Sequence, residues 1–480
     1  MNKFFRALTT KDKLTENGMP THSTSGSFVV DLFYAMGGFR SNAGKSLGEL
    51  VGLFYAALGE NPNLAVKCLL NLRDPRGGMG ERLSGRILWN ALAKSHPELV
   101  KKLYRRIPEF GRWDDILALL DTPVEEEVLA FILESLVKGD KLCAKWMPRE
   151  NKKHGDIAKY MAERWGMDNK EYRHLVAQNT EVVENLMCQS AWEKVVFRSV
   201  PSQAMKRYRK AFNKHQEERF SAFLEKVNKG EEKINTSVLS PVDIVHEYLS
   251  KGFTRDETLE TLWKNLKDVV PENIAFLPIC DVSGSMNGTP MEVSLSLGVY
   301  LAQRNKSIFK NAVITFSQNP TFVHFVGKDL ISDLQFLRRI DWGMNTNLEA
   351  VFRLILSQAV KHNLSQVDLP THLMIISDMQ FDQCVGSAVG YSVKEKFSNT
   401  ALEMVDRMYS QAGYKRPNIF FWNVRTSEGI PAKVDDGGVG LVSGYSPNLL
   451  RSILSGDLNP LSQVLAILNN GRYDFVNDIV

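Results

Sequence analysis

Apolar side chains recur three and four positions apart through most of the first 270 residues. That spacing predicts helices over 46–59, 88–94, 98–107, 124–138, 156–164, 170–187, 202–228 and 242–250, because 3.6 residues per turn gathers such positions on one face. Between 98 and 107, Leu99 and Leu103 stand beside Val100, Tyr104 and Ile107. Proline and glycine break the pattern at 74–78 (DPRGG), 108–115 (PEFGRWDD) and 147–155 (MPRENKKHG), where helices give way to turns. An all-helical domain of stacked antiparallel pairs follows. No fixed repeat period is visible, which argues against a regular consensus solenoid.

The pattern changes after residue 271. Runs rich in β-branched and aromatic residues predict strands at 274–280 (IAFLPIC), 312–316 (AVITF), 321–326 (TFVHFV), 371–377 (THLMIIS), 418–424 (NIFFWNV) and 437–443 (GGVGLVS). Helical spacing lies between them, over 330–339, 348–363, 397–413 and 447–454. Residues 291–301 fit both periods, and Pro290 at a first helical turn favours helix. Apolar runs alternating with helices predict a doubly wound, Rossmann-like α/β domain on a mainly parallel sheet. The expected domains are therefore 1–270, helical, and 271–480, α/β.

Composition narrows the class. The chain has 480 residues, 44% hydrophobic and 24% charged, enough for two domains with their own cores. No run approaches the ~18 apolar residues that cross a bilayer, so no membrane association is expected. The five cysteines (68, 143, 188, 280, 384) are scattered and form no CxxC pair. This argues for free thiols in a reducing, cytoplasmic setting. Residues 1–270 hold 42 Lys and Arg against 36 Asp and Glu, and the remainder 17 against 19. The helical part is thus mildly basic, and a solvated surface explains that excess as well as a nucleic-acid partner does.

The chemistry that stands out follows the first strand: CDVSGSM, 280–286. In an open α/β sheet, ligands bind beyond the carboxyl ends of the strands. Asp281, Ser283 and Ser285 stand there. Thr346, before the helix at 348, and Asp378, closing the strand at 371–377, occupy two more strand ends. Three hydroxyls and two carboxylates suit Mg2+ or Mn2+, hard cations that take oxygen ligands and, for Mg2+, keep several waters. Such a set leaves the ion under-neutralised, with a position open to an acidic guest. Ser283 or Ser285 as a mere cap or turn residue is the plainer alternative. Nucleotide and hydrolase chemistry lack support. There is no GxxxxGK[ST], no GxSxG serine with a plausible histidine and acid, and Ser283 stands where an aspartyl-phosphate loop would carry its second carboxylate. His324 and His372 fall in strands.

In the helical part, Arg73, Arg76, Arg82 and Arg86 flank a glycine cluster in NLRDPRGGMGERLSGR, 71–86. Glycine lets backbone N–H groups approach an anion, and arginine offers forked donors to phosphate. A structural turn with Arg paired to Asp74 and Glu81 is equally consistent. Further basic groups are Lys101, Lys102, Arg105 and Arg106; Lys145 and Arg149 with Lys152 and Lys153; and Lys206, Arg207, Arg209 and Lys210. Together they make a candidate phosphate-binding track. Trp113 and Trp146 lie near it, where core packing is the plainer role.

DVSGSM, with Thr346 and Asp378 in separate loops, resembles the metal-ion-dependent adhesion site of von Willebrand factor A domains. That resemblance implies a non-catalytic site in which a divalent ion takes an acidic residue of a protein partner. A second resemblance spans nearly the whole chain. NGMPTHSTSGSFVVDLF (17–33), RDPRGGMGER (73–82), PEFGRWDDIL (108–117), AKWMPRE (144–150) and VPSQAMKRYRKAF (200–212) are similar to an uncharacterised family of plants, bacteria and large viruses. That family couples a helical domain to a C-terminal von Willebrand A domain. More distantly, the chain resembles the TROVE family of Ro ring proteins, whose HEAT-like helical repeats close into a ring. This implies binding of small noncoding RNAs or single-stranded RNA ends in a ribonucleoprotein. The basic residues named above would be its contacts. The rival expectation is a metal-dependent protein-interaction scaffold without RNA.

Overall fold

The computed structural model describes residues 12–39, 47–180, 182–272, 274–316, 319–339, 346–382, 400–425, 429–449 and 458–480. Residues 397–399 and 450–454 of two expected helices, and Cys384, lie outside them. The architecture is α plus α/β: a helical N-terminal region and a C-terminal six-stranded mixed sheet. No helix among the described residues is long and apolar enough to cross a membrane.

The chain forms two compact units, residues 1–68 with 239–474, and 69–238 with 475–480. They are laid out differently from a division at 270. Both N-terminal residues and the helices Pro241–Lys251 and Glu257–Lys264 belong with the sheet. Sequence texture marks where strands begin, whereas compactness depends on what covers them. A parallel sheet must be covered on both faces; the N-terminal helix Phe28–Met36 lies on one of its strands, and Pro241–Lys251 packs on a helix that lies on the sheet.

Six strands form the large sheet: β3 (Phe276–Asp281), β4 (Ala312–Phe316), β5 (Thr321–His324), β6 (His372–Ser377), β7 (Asn418–Asn423) and β8 (Val439–Ser443). A separate two-stranded hairpin, β1 (Asp12–Leu14) and β2 (Pro20–His22), precedes them. The large sheet runs β5-β4-β3-β6-β7-β8. Every pairing is parallel except β4 with β5. All six expected strands are present. Each of the five parallel strands is buried almost throughout, whereas the edge strand β5 exposes Thr321, Phe322 and His324. The chain leaves β3 toward one edge and returns to β6 on its other side. The strand order therefore reverses between β3 and β6, which is where open α/β sheets place ligands.

The helix Thr289–Arg304, opened by Pro290 as expected, packs on β3, β4 and β6, and Pro241–Lys251 packs on that helix in turn. On β8 lies the N-terminal helix Phe28–Met36, capped where the Ser27 hydroxyl accepts from Val30 N–H. Ser443 Oγ donates to the Phe33 carbonyl at 2.8 Å and accepts from Gly37 N–H at 3.1 Å. The approach requires glycine: a Cβ on Gly37 would stand 2.5 Å from Gly444 N.

The second unit is helical: Arg82–Ser95, Pro97–Leu103, Glu125–Val137, Lys141–Trp146, Gly155–Arg164, Asn169–Gln178, Val183–Cys188 and Ser202–Asn228. Three expected helices are interrupted. The 98–107 segment tightens to a 3-10 turn at Tyr104–Arg106 before a short turn of helix at Ile107–Phe110, ahead of and around Pro108. The 170–187 segment breaks after Gln178, where Asn179 and Thr180 bond back to the Leu175 and Val176 carbonyls. Ser202–Asn228 has non-helical dihedrals at Gln216.

Candidate metal centre

β3 ends at Asp281, and Val282 N–H bonds to the Phe316 carbonyl of neighbouring β4. Asp281 is fully buried, and its Oδ1 accepts from Ser283 N–H at 2.9 Å. Its other oxygen accepts from the Ser377 hydroxyl at the end of β6. Ser283 Oγ lies 3.2 Å from Ser285 Oγ. Asp378 follows β6, is fully buried, and interacts through one oxygen with Gln380 N–H at 3.2 Å. The Ser285 side chain acts to lower the pKa of the Asp378 carboxyl, against its burial. Four of the five candidate ligands, Asp281, Ser283, Ser285 and Asp378, are therefore brought together at the switch point.

Thr346 reaches this cluster by another route. Its N–H donates to Asp382 Oδ2 at 3.0 Å, and its carbonyl accepts from Asp382 N–H at 3.0 Å. Asp382 is four residues past Asp378, so the buried Thr346 is tied to the same loop.

The electrostatics are unusual for two interior acids. Burial, then the charge of Asp378, pushes the Asp281 carboxyl up to about 7, against the pull of the Ser283 and Ser377 hydrogen bonds. Burial likewise raises Asp378. Asp378 Oδ2 is buried and has no hydrogen-bond partner, with Arg425 Nη1 3.9 Å away. Arg425 is meanwhile bound to the Ser285 carbonyl at 2.9 Å. A buried carboxylate oxygen left without a hydrogen bond is costly, and a cation coordinated there would remove the cost. The residues thus fit a hard divalent ion: all donors are oxygens, and one buried acceptor lacks its partner. Among the described residues, no three His, Cys, Asp or Glu side chains gather as a metal cage, so the hydroxyls are essential to this reading. His324 and His372 are strand residues, as expected; burial lowers the His372 ring to about 4.

Sequence reasoning missed Asp382, Arg425 and Ser377, and also a strap across the Asp378 loop. The turn between β1 and β2 places Thr15 Oγ1 on the Phe381 carbonyl at 2.7 Å, Glu16 N–H on Gln380 Oε1 at 2.7 Å, and Asn17 Nδ2 on the Gln380 carbonyl at 2.7 Å. Met379, inside the strapped loop, is left-handed (φ 64°). Such a non-glycine conformation persists only where its surroundings fix it.

The basic candidates are distributed differently. Arg73 is buried and gives its Nε and Nη2 to Asp115 Oδ2, at 2.7 and 2.6 Å. Arg86 is half-buried between Asp115 (2.6 Å) and Asp114 (2.7 Å). The partners are these two acids of GRWDD; Asp74, for its part, accepts from Arg76 N–H. Arg209 is buried, with its Nη1 on the Lys206 carbonyl. A guanidinium enclosed in this way offers nothing to an outside phosphate, which corrects Arg73 and Arg209 as surface contacts. Arg149 is half-buried, donating to Thr180 Oγ1 at 2.8 Å, and Lys145 lies 5.8 Å from the Trp146 ring. Lys206 is half-buried, while Arg76, Arg82, Arg207 and Lys210 are exposed. Lys101, Arg105 and Arg106 are ion-paired to Glu98 and Glu127, Glu134, and Glu109. Trp113 is buried against Phe131, and Trp146 stacks under the Arg112 guanidinium at 3.8 Å.

The fold and site define a doubly wound α/β unit with an oxygen-rich cluster at its switch point. A family model described as a domain of unknown function (DUF7788) matches residues 275–464 and so contains all five candidate ligands. A second, also described as a domain of unknown function (DUF2828), matches 149–272. The two matches meet where the sequence texture changes. The chain is also similar to an uncharacterized protein of Acanthamoeba polyphaga mimivirus, with 29% identity over 513 aligned positions that cover 95% of this chain and 86% of the viral one.

Proposed function

We propose that the chain is a non-catalytic binding protein whose sheet unit works as a von Willebrand A-type adhesion module, gripping an acidic residue of a protein partner through a divalent cation. The observation that carries this is Asp378 Oδ2: buried, without a hydrogen-bond partner, and beside buried Asp281. Ser283, Ser285 and Thr346 would hold the ion through hydroxyls, and Asp281 and Asp378 through carboxylates. A bound Mg2+ or Mn2+ supplies a position for one guest carboxylate. Ser377 and Ser283 N–H fix the Asp281 carboxylate, and Asp382 holds the Thr346 backbone. The test is calorimetry with MgCl2 and MnCl2, then fluorescence anisotropy of a labelled Glu-containing peptide. Stoichiometric metal uptake is expected, with peptide binding that EDTA abolishes and a Gln-for-Glu peptide lacks. Absence of metal uptake overturns the reading.

A second reading, RNA binding by a HEAT-like helical unit of the TROVE kind, is favoured by Arg82. It is exposed at the start of helix Arg82–Ser95 and, among the described residues, forms no salt bridge. Partial burial and then the Arg112 and Arg86 charges lower its pKa, opposed by Asp114. A cation held among like charges is receptive to phosphate. Arg82→Ala is expected to weaken single-stranded RNA in filter binding and to reduce the slope of log affinity against log salt by about 1. Binding that is undetectable or independent of salt in the unaltered protein removes this reading.

A further inference from the structure

Arg425 follows β7, at the same end of the sheet as Asp281 and Asp378, and its backbone and side chain are both anchored. Its N–H donates to Asn423 Oδ1 at 3.0 Å, and Val424 N–H donates to the Ser377 carbonyl at 3.1 Å. The chain beyond β7 is thereby tied to the end of β6, one residue before Asp378. From that footing the side chain reaches across to the loop after β3, where Nη1 donates to the Ser285 carbonyl at 2.9 Å. One guanidinium thus lies against two of the loops that carry candidate ligands.

The same Nη1 stops 3.9 Å from Asp378 Oδ2, beyond hydrogen-bond range. That oxygen is buried and, among the described residues, has no hydrogen-bond partner. An arginine placed only to neutralise Asp378 would close on it in a charge-assisted hydrogen bond of about 2.7–2.9 Å. Its hydrogen bond goes to the Ser285 carbonyl instead. The Arg425 side chain is 41% exposed, against 0% for Asp378, so it runs from the buried cluster out to solvent.

A cation on Asp378 Oδ2 would have this guanidinium as its neighbour. Arginine does not lose its proton in a protein, so the two positive groups repel each other. An anion that touches both removes that repulsion. A carboxylate has two oxygens. When one binds a metal, the other suits the planar fork of an arginine, which a compact ammonium matches less well.

We propose that Arg425 is a second grip on the guest, the guest carboxylate placing one oxygen on the cation and the other on the Arg425 guanidinium. The proposal rests on the metal-centre reading of Asp281, Ser283, Ser285, Thr346 and Asp378, and adds to it the group that selects an anionic guest. Metal and guest then bind cooperatively, each raising the affinity of the other by the same factor.

The experiment measures Mn2+ affinity of the full chain through the electron paramagnetic resonance signal of the free ion, in sodium acetate and in sodium chloride of equal ionic strength. Arg425→Met, Arg425→Lys and Asp378→Asn are measured beside the unaltered chain. Acetate is expected to raise the Mn2+ affinity of the unaltered chain by about fivefold or more. Arg425→Met should hold Mn2+ in chloride at least as tightly as the unaltered chain, because a repelling charge is gone, and should lose the acetate enhancement. Arg425→Lys, which keeps the charge without the fork, should retain part of the enhancement. If the unaltered chain binds Mn2+ and Asp378→Asn does not, yet acetate has no effect on the unaltered chain or acts undiminished on Arg425→Met, the inference fails while the metal centre stands. A loss of Mn2+ affinity by Arg425→Met in chloride also overturns it, since Arg425 would then act by holding the Ser285 loop. Absence of Mn2+ uptake by the unaltered chain fails both together.

Discussion

If the metal-centre proposal holds, Asp378→Asn is expected to abolish an Mg2+-dependent rise in melting temperature and to make the metal-free protein more stable at neutral pH. Both effects follow from one geometry. Asp281 and Asp378 are interior carboxylates, each raised by burial, with the charge of Asp378 adding to the rise at Asp281. The folded-state pKa lies above the unfolded value, so between about pH 4 and 7 the folded chain binds more protons than the unfolded one. The contribution of this pair to the stability of the metal-free protein is therefore fully present below that window and is lost as pH rises through it. The slope approaches about 1.4 kcal/mol per pH unit for one carboxylate. Bound Mg2+ would hold both groups ionised and is expected to reverse the loss, by about 2.7 kcal/mol at a concentration 100 times Kd. The amide retains an acceptor for Gln380 N–H, removes the charge, and stabilises the apo form by on the order of 1–2 kcal/mol. Thermal unfolding at several pH values, with EDTA or MgCl2, reads all of this. A metal-free protein whose melting temperature is flat from pH 4 to 7, or an Asn variant still shifted by Mg2+, contradicts the cluster.

The sheet was legible because parallel strands are buried on both faces and so appear as unbroken β-branched and aromatic runs. ITF of β4 and FFW of β7 are such runs. Asp281 and Asp378 were legible because they follow those runs directly, where ligands gather. The rest of the site was hidden by sequence distance. Thr15 meets Phe381 across 366 positions, and Arg425 meets Ser285 across 140. No local period records such contacts. The N-terminal helix Phe28–Met36 was not among the expected helices, and its place on β8 depends on Gly37 lying against Gly444 and on Ser443, neither marked in the pattern. In the helical unit, charge spacing identified arginines and acids but not their pairing. RDPRGG and GRWDD each read as a turn, whereas folding joins them.

That junction carries the second large effect. Asp115→Ala is expected to destabilise the helical unit by about 3–5 kcal/mol, the cost of leaving a buried charge without its partner. Asp115 is fully buried on the 3-10 segment Trp113–Leu119. Its Oδ2 accepts from Arg73 Nε and Nη2 and from Arg112 N–H (2.7 Å), and its Oδ1 from Arg86 Nε. Close packing encloses the cluster: a Cβ on Gly111 would stand 2.4 Å from Asp115 Oδ2, and one on Gly85 would stand 3.1 Å from Arg73 Cβ. Removing the carboxylate strands Arg73, which is 4% exposed. Asp115→Asn keeps two acceptor positions at most and should fall between the alanine variant and the unaltered chain. Arg82→Ala, at an exposed position, should change stability by less than about 0.5 kcal/mol. Urea unfolding followed by tryptophan fluorescence compares the three, with Trp113 two residues from the altered site. A loss below about 1 kcal/mol for Asp115→Ala would mean that water reaches the arginines and that the network is a surface feature. The contrast also decides how RNA data are read. Weakened RNA binding in an Arg73 variant reports lost structure, whereas an exposed position such as Arg82 separates phosphate contact from folding.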